Sequence, residues 1–131
     1  MQITQNFRLD EFKCKCGRCT MPESVKQNII RLVTEVLQPL RDQIGQPIFV
    51  ASGYRCKDHN RAVGGVPNSQ HMLGKAADIV VRNTPASRMY KIVDRFMLTH
   101  EPPGPGGVGK YPGFTHVDIR EARPGSGGSR W

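Results

Sequence analysis

Long apolar runs are missing from this chain: no segment is extended or apolar enough to span a bilayer, which excludes insertion as a membrane helix. The first residues, Met1-Gln2-Ile3-Thr4-Gln5-Asn6-Phe7, have neither a basic leader nor an apolar stretch. No signal peptide is therefore predicted, and the protein is expected to be cytoplasmic as made. Action in a cell wall or periplasm would then follow release through a membrane breached by another factor. Acidic residues are scarce, 11 against 19 Lys and Arg, and the resulting charge of +8 favours polyanionic surroundings. Nucleic acid, an anionic cell wall and an acidic membrane surface all fit that charge. Aromatics are also few, at 7%, and do not interleave with basic positions such as Arg31, Lys57, Lys75, Arg88 and Lys110. That scatter argues against a stacking groove for single strands, so no specific nucleic-acid partner is predicted.

What is present suits one domain. At 131 residues and 37% hydrophobic, the chain can bury one ordinary core, so a single domain over residues 1–131 and a monomer are predicted. Thr20-Met21-Pro22-Glu23 has the spacing of a capping box and predicts a helix from Thr20, with Pro22 in its first turn. Val25, Ile29, Ile30, Val33, Val36, Leu37, Leu40 and Ile44 then recur at three and four, forming one buried stripe that Gly45 ends. Pro39 predicts a kink or break one turn earlier. Residues 47–52 and 76–81 read as strands, and 57–75 as loop or weak helix with turn signals at Gly64-Gly65 and Pro67-Asn68. Thr84-Pro85-Ala86-Ser87 opens a second helix, with Met89, Ile92, Val93, Phe96 and Met97 facing inward. Residues 106–120 read as a hairpin whose second arm alternates: Phe114, His116 and Asp118 point one way, Thr115, Val117 and Ile119 the other. Residues 124–129 are predicted to be a mobile loop. The order of elements predicts an α+β domain, a small antiparallel sheet with flanking helices.

Two imidazoles and a carboxylate carry the chemistry. His71 lies in a turn rich in small residues, Asp78 in the apolar run Ala76-Ala77-Asp78-Ile79-Val80-Val81, and His116 at the centre of a second strand. A histidine on a strand is more often structural, yet a carboxylate within such an apolar run is costly unless it is paired or bound to a metal. His71, Asp78 and His116 together suit a catalytic Zn2+, which takes three protein ligands and leaves a fourth position for water. A net ligand charge of −1 leaves the ion positive enough to acidify that water. Hydrolysis is the leading reading.

Four cysteines pose a separate question. Cys14, Cys16 and Cys19 crowd together, and Cys56 stands alone after Arg55. Without an export signal disulfides are not the default. A closed structural metal site of four thiolates, disulfide pairing and free thiols all remain open.

Ser69, His71, Gly74, Ala76 and Asp78 form the pattern Ser-x-His-x-x-Gly-x-Ala-x-Asp; Ser52-Gly53-Tyr54-Arg55 precedes it and Gly113-Phe114-Thr115-His116-Val117-Asp118 follows. With these motifs the chain resembles the zinc D-Ala-D-Ala carboxypeptidases and related peptidoglycan peptidases of peptidase family M15, especially short members of its first subfamily. The resemblance runs from about Phe7 to Asp118. It implies that His71, Asp78 and His116 bind zinc, that Arg55 steadies the substrate carbonyl or its oxyanion, and that Ser69 holds polar groups of the substrate. It also implies the family's α+β fold, shared with the signalling domain of hedgehog proteins, and a peptidoglycan peptide as substrate.

One departure concerns the base. Many relatives carry an acidic residue three positions before the last zinc histidine, where this chain has Gly113. Asp118 is assigned the base role, because alternation puts it on the face of His116, about 7 Å along the strand. The competing role for Asp118 is an ion pair with Arg120 or Arg55, or a hydrogen bond that orients a ligand histidine. His59 is a weaker candidate for proton transfer. Two other functions compete with the peptidase: a zinc-containing wall-binding or signalling module without turnover, and a basic nucleic-acid-binding domain.

Overall fold

The stripe from Val25 to Ile44 folds as one helical rod in three parts: α1 (Glu23–Leu32), a π-helical turn (Val33–Leu37) and α2 (Gln38–Ile44). The computed structural model describes residues 1–131. The π turn sits where Pro39 predicts a disturbance. Proline lacks an N–H and its ring crowds the preceding turn, and here the backbone widens just before it. Gln38 N–H donates to the Val33 carbonyl, five residues back. The rod still buries Ile29, Leu32, Val36, Leu37 and Leu40. Each such side chain contributes roughly 1.5–3 kcal/mol on leaving water. Gly45, at φ 67°, closes the rod by donating its N–H to the Arg41 carbonyl.

The capping box expected at Thr20 does not form. Pro22 combines its fixed φ of −63° with an extended ψ of 152°, which makes it the N-cap rather than a first-turn residue. Thr20 therefore lies two residues too early to reach the first free N–H groups, and no side chain caps the helix.

Beyond a short N-terminal hairpin of β1 (Gln2–Thr4) and β2 (Phe7–Arg8), the chain builds one five-stranded sheet. Its strands are β3 (Phe49–Ser52), β4 (Ala76–Val80), β5 (Gly107–Lys110), β6 (Thr115–Asp118) and β7 (Ser129–Arg130). They lie in the order β3-β4-β6-β5-β7, antiparallel except for the β5–β7 pair. Residues 57–75, read as loop or weak helix, contain α3 (Lys57–Ala62) and a 3-10 turn at Gln70–Leu73. The glycine-rich stretch ends one residue early, because Ser129 already pairs with Gly107. The molecule is an α+β domain.

The two faces of the sheet have different work. The second predicted helix is α4 (Ala86–Thr99), with Met89, Val93, Phe96 and Met97 buried. Thr115 Oγ1 donates to the Ala86 carbonyl at 3.3 Å, which places α4 on the face of Thr115 and Val117. Strand alternation then turns His116 and Asp118 to the opposite face. Asp78 is directly opposite His116 in the register, so it shares that face.

Candidate metal centre

The three candidate ligands come from two strands and one turn. Asp78 and His116 are cross-strand neighbours on β4 and β6. His71 reaches them from the 3-10 turn Gln70–Leu73, which ends just before β4. Ser69 is the N-cap of that turn, and its hydroxyl oxygen accepts the His71 N–H at 3.2 Å. Gly74 closes the turn at φ 75°, where a side chain is strained; a Cβ there would also lie 2.6 Å from the Val25 carbonyl oxygen. Two residues of the sequence motif thus act on the backbone that presents His71.

His71 Nε2 lies 3.2 Å from Asp78 Oδ1, and His116 Nδ1 lies 3.1 Å from the same oxygen. All three residues are buried, and their ligand atoms lie within 4.8 Å of one another. Donors on a tetrahedral zinc, at about 2.0–2.2 Å from the ion, stand about 3.3–3.5 Å apart, so the spacing fits. The outer hydrogen bonds set both rings. His71 Nδ1 is 2.7 Å from the Gly53 carbonyl oxygen, which can only accept, so Nδ1 carries the proton and Nε2 presents its lone pair. His116 Nε2 is 2.7 Å from Asp118 Oδ2, so Nε2–H donates there and Nδ1 faces Asp78. Opposite ring nitrogens of the two histidines converge on one carboxylate.

Without an ion, a proton on a ring nitrogen that faces Asp78 can stand in its place, and the charges below are those of the metal-free protein. Burial pushes the Asp78 carboxyl up, but hydrogen bonds from His116 and His71 and the charge of both rings outweigh it and hold the group at about 2. Burial pulls His116 down, and hydrogen bonds to Asp118 and Asp78 outweigh it, so its pKa is raised. Asp118 is pushed up by burial and held at about 2 by His116 and Arg120. Both acids are ionised near neutral pH, as metal ligation and histidine orientation require.

Asp118 stands behind the centre. It is 0% exposed. Its Oδ1 accepts from the Arg120 backbone N–H at 3.1 Å and from Arg120 Nε at 2.9 Å, while Oδ2 accepts from His116 Nε2 and from Arg120 Nη2, both at 2.7 Å. Gly107 faces Asp118 across the strands, and a Cβ at Gly107 would lie 2.5 Å from the carboxylate. A missing side chain on one strand makes room for the carboxylate on the next. This geometry matches the orienting role weighed against the base role in the sequence.

An open cleft of about 490 Å³ meets the centre. Arg55, Ser69, His71, Asp78 and His116 line it together. Arg55 Nη2 is 3.4 Å from Asp78 Oδ2, while Nη1 donates to Asn60 Oδ1 at 3.0 Å. Tyr111, Phe114, Arg120 and Trp131 also line the cleft, and sequence reasoning assigned none of them to the site. Alternation carried a signal for Phe114, which shares the face of His116. Nothing in the sequence pointed to Tyr111, whose ring stacks on Phe114 with centroids 4.5 Å apart. Trp131 packs back onto the domain, its ring 5.0 Å from His116 and its centroid 5.0 Å from the Arg120 guanidinium. His59 lies on α3 outside the cleft, its N–H directed at Cys56 Sγ.

Fold and side chains define a class: an α+β domain whose sheet presents to an open cleft a buried His-Asp-His group that could hold a metal ion. The chain belongs to the peptidase M15 family, whose model, described as Peptidase M15, matches residues 5–118. Membership makes it a hydrolase with a peptide substrate. No curated protein matches the chain.

Proposed function

We propose that this protein is a zinc-dependent peptidase that hydrolyses peptide bonds in the stems of bacterial peptidoglycan, as a D-Ala-D-Ala carboxypeptidase or an endolysin-like endopeptidase does. The observation that carries the reading is the convergence of His71, Asp78 and His116 at the cleft, in a chain of the M15 family. The charge of +8 suits work on an anionic wall. Zinc held by these three residues supplies Lewis acidity, polarising a carbonyl and lowering the pKa of water.

The chain's own residues do the rest. Arg55 presents its guanidinium in the cleft beside Asp78 and steadies negative charge developing on the substrate carbonyl oxygen. The Ser69 hydroxyl accepts from His71 N–H and keeps its own O–H to donate to a substrate peptide group. Asp118 is a positioning residue: its four hydrogen bonds are spent on His116 and Arg120, so it fixes the His116 tautomer rather than receiving protons from the cleft.

The same observation favours a second reading. With Asp118 engaged and glycine at position 113, Asp78 is the sole carboxylate lining the cleft, which suits a wall-binding or signalling module without turnover. Purified muropeptides incubated with zinc-loaded protein separate the two. New amino groups are expected from the wild type and none from His71→Ala; a fully loaded wild type that binds muropeptides and releases no amine establishes the module instead.

A further inference from the structure

The second cluster of metal-binding side chains lies away from the cleft, where the N-terminal segment meets the loop behind Arg55. Cys14, Cys16, Cys19 and Cys56 bring their sulfurs within 4.8 Å of one another. Cys56 Sγ is 3.6 Å from Cys14 Sγ and 3.9 Å from Cys16 Sγ. Four thiolates about 2.3 Å from a central zinc stand about 3.8 Å apart along the edges of a tetrahedron. A disulfide needs about 2.05 Å and pairs each sulfur with one partner. Here one sulfur is nearly equidistant from two others, as a shared ion requires.

The backbone is shaped for thiolates. Cys56 N–H points at Cys14 Sγ (3.3 Å), Arg18 N–H at Cys16 Sγ (3.5 Å) and His59 N–H at Cys56 Sγ (3.4 Å). Gly17, at φ 73°, makes the tight turn that aims Arg18 N–H at Cys16. Lys13, Lys15, Arg18 and Lys57 alternate with the cysteines in sequence. Four thiolates around a divalent ion carry a net charge of −2, which these cations offset.

We propose that Cys14, Cys16, Cys19 and Cys56 bind a second divalent metal, zinc by its thiolate chemistry, in a closed structural site. Four protein sulfurs fill the coordination shell, so the site has no position for water and no part in hydrolysis. Its effect is mechanical. Tyr54 N–H donates to the Phe12 carbonyl at 2.9 Å, and Cys56 follows Arg55 directly, so the ion staples residues 12–19 to the loop that carries the cleft arginine.

The test is metal counting on the full chain, purified under reducing conditions and equilibrated with Zn2+. Wild type is expected to hold two equivalents, His71→Ala one and Cys19→Ser one. Should a cysteine variant fail to fold, the spectroscopic arm uses His71→Ala, in which the cysteines are intact. Replacing zinc by Co2+ there is expected to give sulfur-to-cobalt charge-transfer absorption, and native thiols are expected to resist alkylation until a chelator is added. A wild type holding a single equivalent that His71→Ala loses, a cobalt form without sulfur bands, or an intact mass showing paired cysteines would each overturn the proposal.

Discussion

At the residue scale the decisive unit is the chain of contacts from Asp78 through His116 and Asp118 to Arg120. Each member fixes the protonation or tautomer of the next, as the hydrogen bonds of 3.1, 2.7 and 2.7 Å show. If Asp118 orients His116, Asp118→Asn lowers zinc affinity about 10–100-fold, because the histidine loses its anionic acceptor. Competition with a chelating dye measures this; unchanged affinity with lost turnover would restore the base role. The same unit makes metal-free protein sensitive to acid. Asp78 and Asp118 sit at about 2 when folded against the usual 3.8, so their stabilisation is full above about 4 and lost as pH falls toward 2. Asp118 alone contributes about 2 kcal/mol at neutral pH by this linkage. His116, raised when folded, works oppositely: its contribution is full below the usual 6.5 and is lost as pH rises through its folded pKa. Urea denaturation of metal-free wild type between pH 2 and 8 is expected to show the acid-side loss, reduced in Asp118→Asn.

At the scale of elements, the donors depend on short, irregular pieces more than on long regular ones. The helical rod was legible from its stripe, and even its disturbance before Pro39 followed from proline's missing N–H. The 3-10 turn bearing His71 was not, because four residues are too few to show a period; only Ser69 and Gly74, its cap and its end, are visible as letters. Gly74→Ala is expected to cost at least about 1 kcal/mol, from the left-handed backbone and the contact with Val25. It should also weaken zinc binding by tilting His71. Thermal unfolding and zinc titration of the same variant check both effects. Strand alternation correctly put His116 and Asp118 on one face. It could not say that Gly107 opposite leaves space for the carboxylate to settle behind the histidine.

At the scale of the molecule, His71, Asp78 and His116 bring β4, β6 and the turn before β4 to one point, so an ion held there would couple its binding to folding. Zinc at about 100 times its dissociation constant adds roughly 2.7 kcal/mol to stability. A melting temperature that rises with Zn2+ and falls with chelator is expected, and that response should be diminished in His71→Ala. The sequence by itself determined the class of fold and the buried faces of the helices and pointed to His71, Asp78 and His116 as a candidate group, because periodicity and residue chemistry are local properties written in order along the chain. Tertiary structure decided what depends on distance between remote residues: that Tyr111, Phe114 and Trp131 form part of the cleft, that four cysteines share one locus, and which partners use up the oxygens of Asp118. Proton transfer, hydrogen bonding and coordination act over a few ångströms, and only folding brings residues so far apart in sequence within that range.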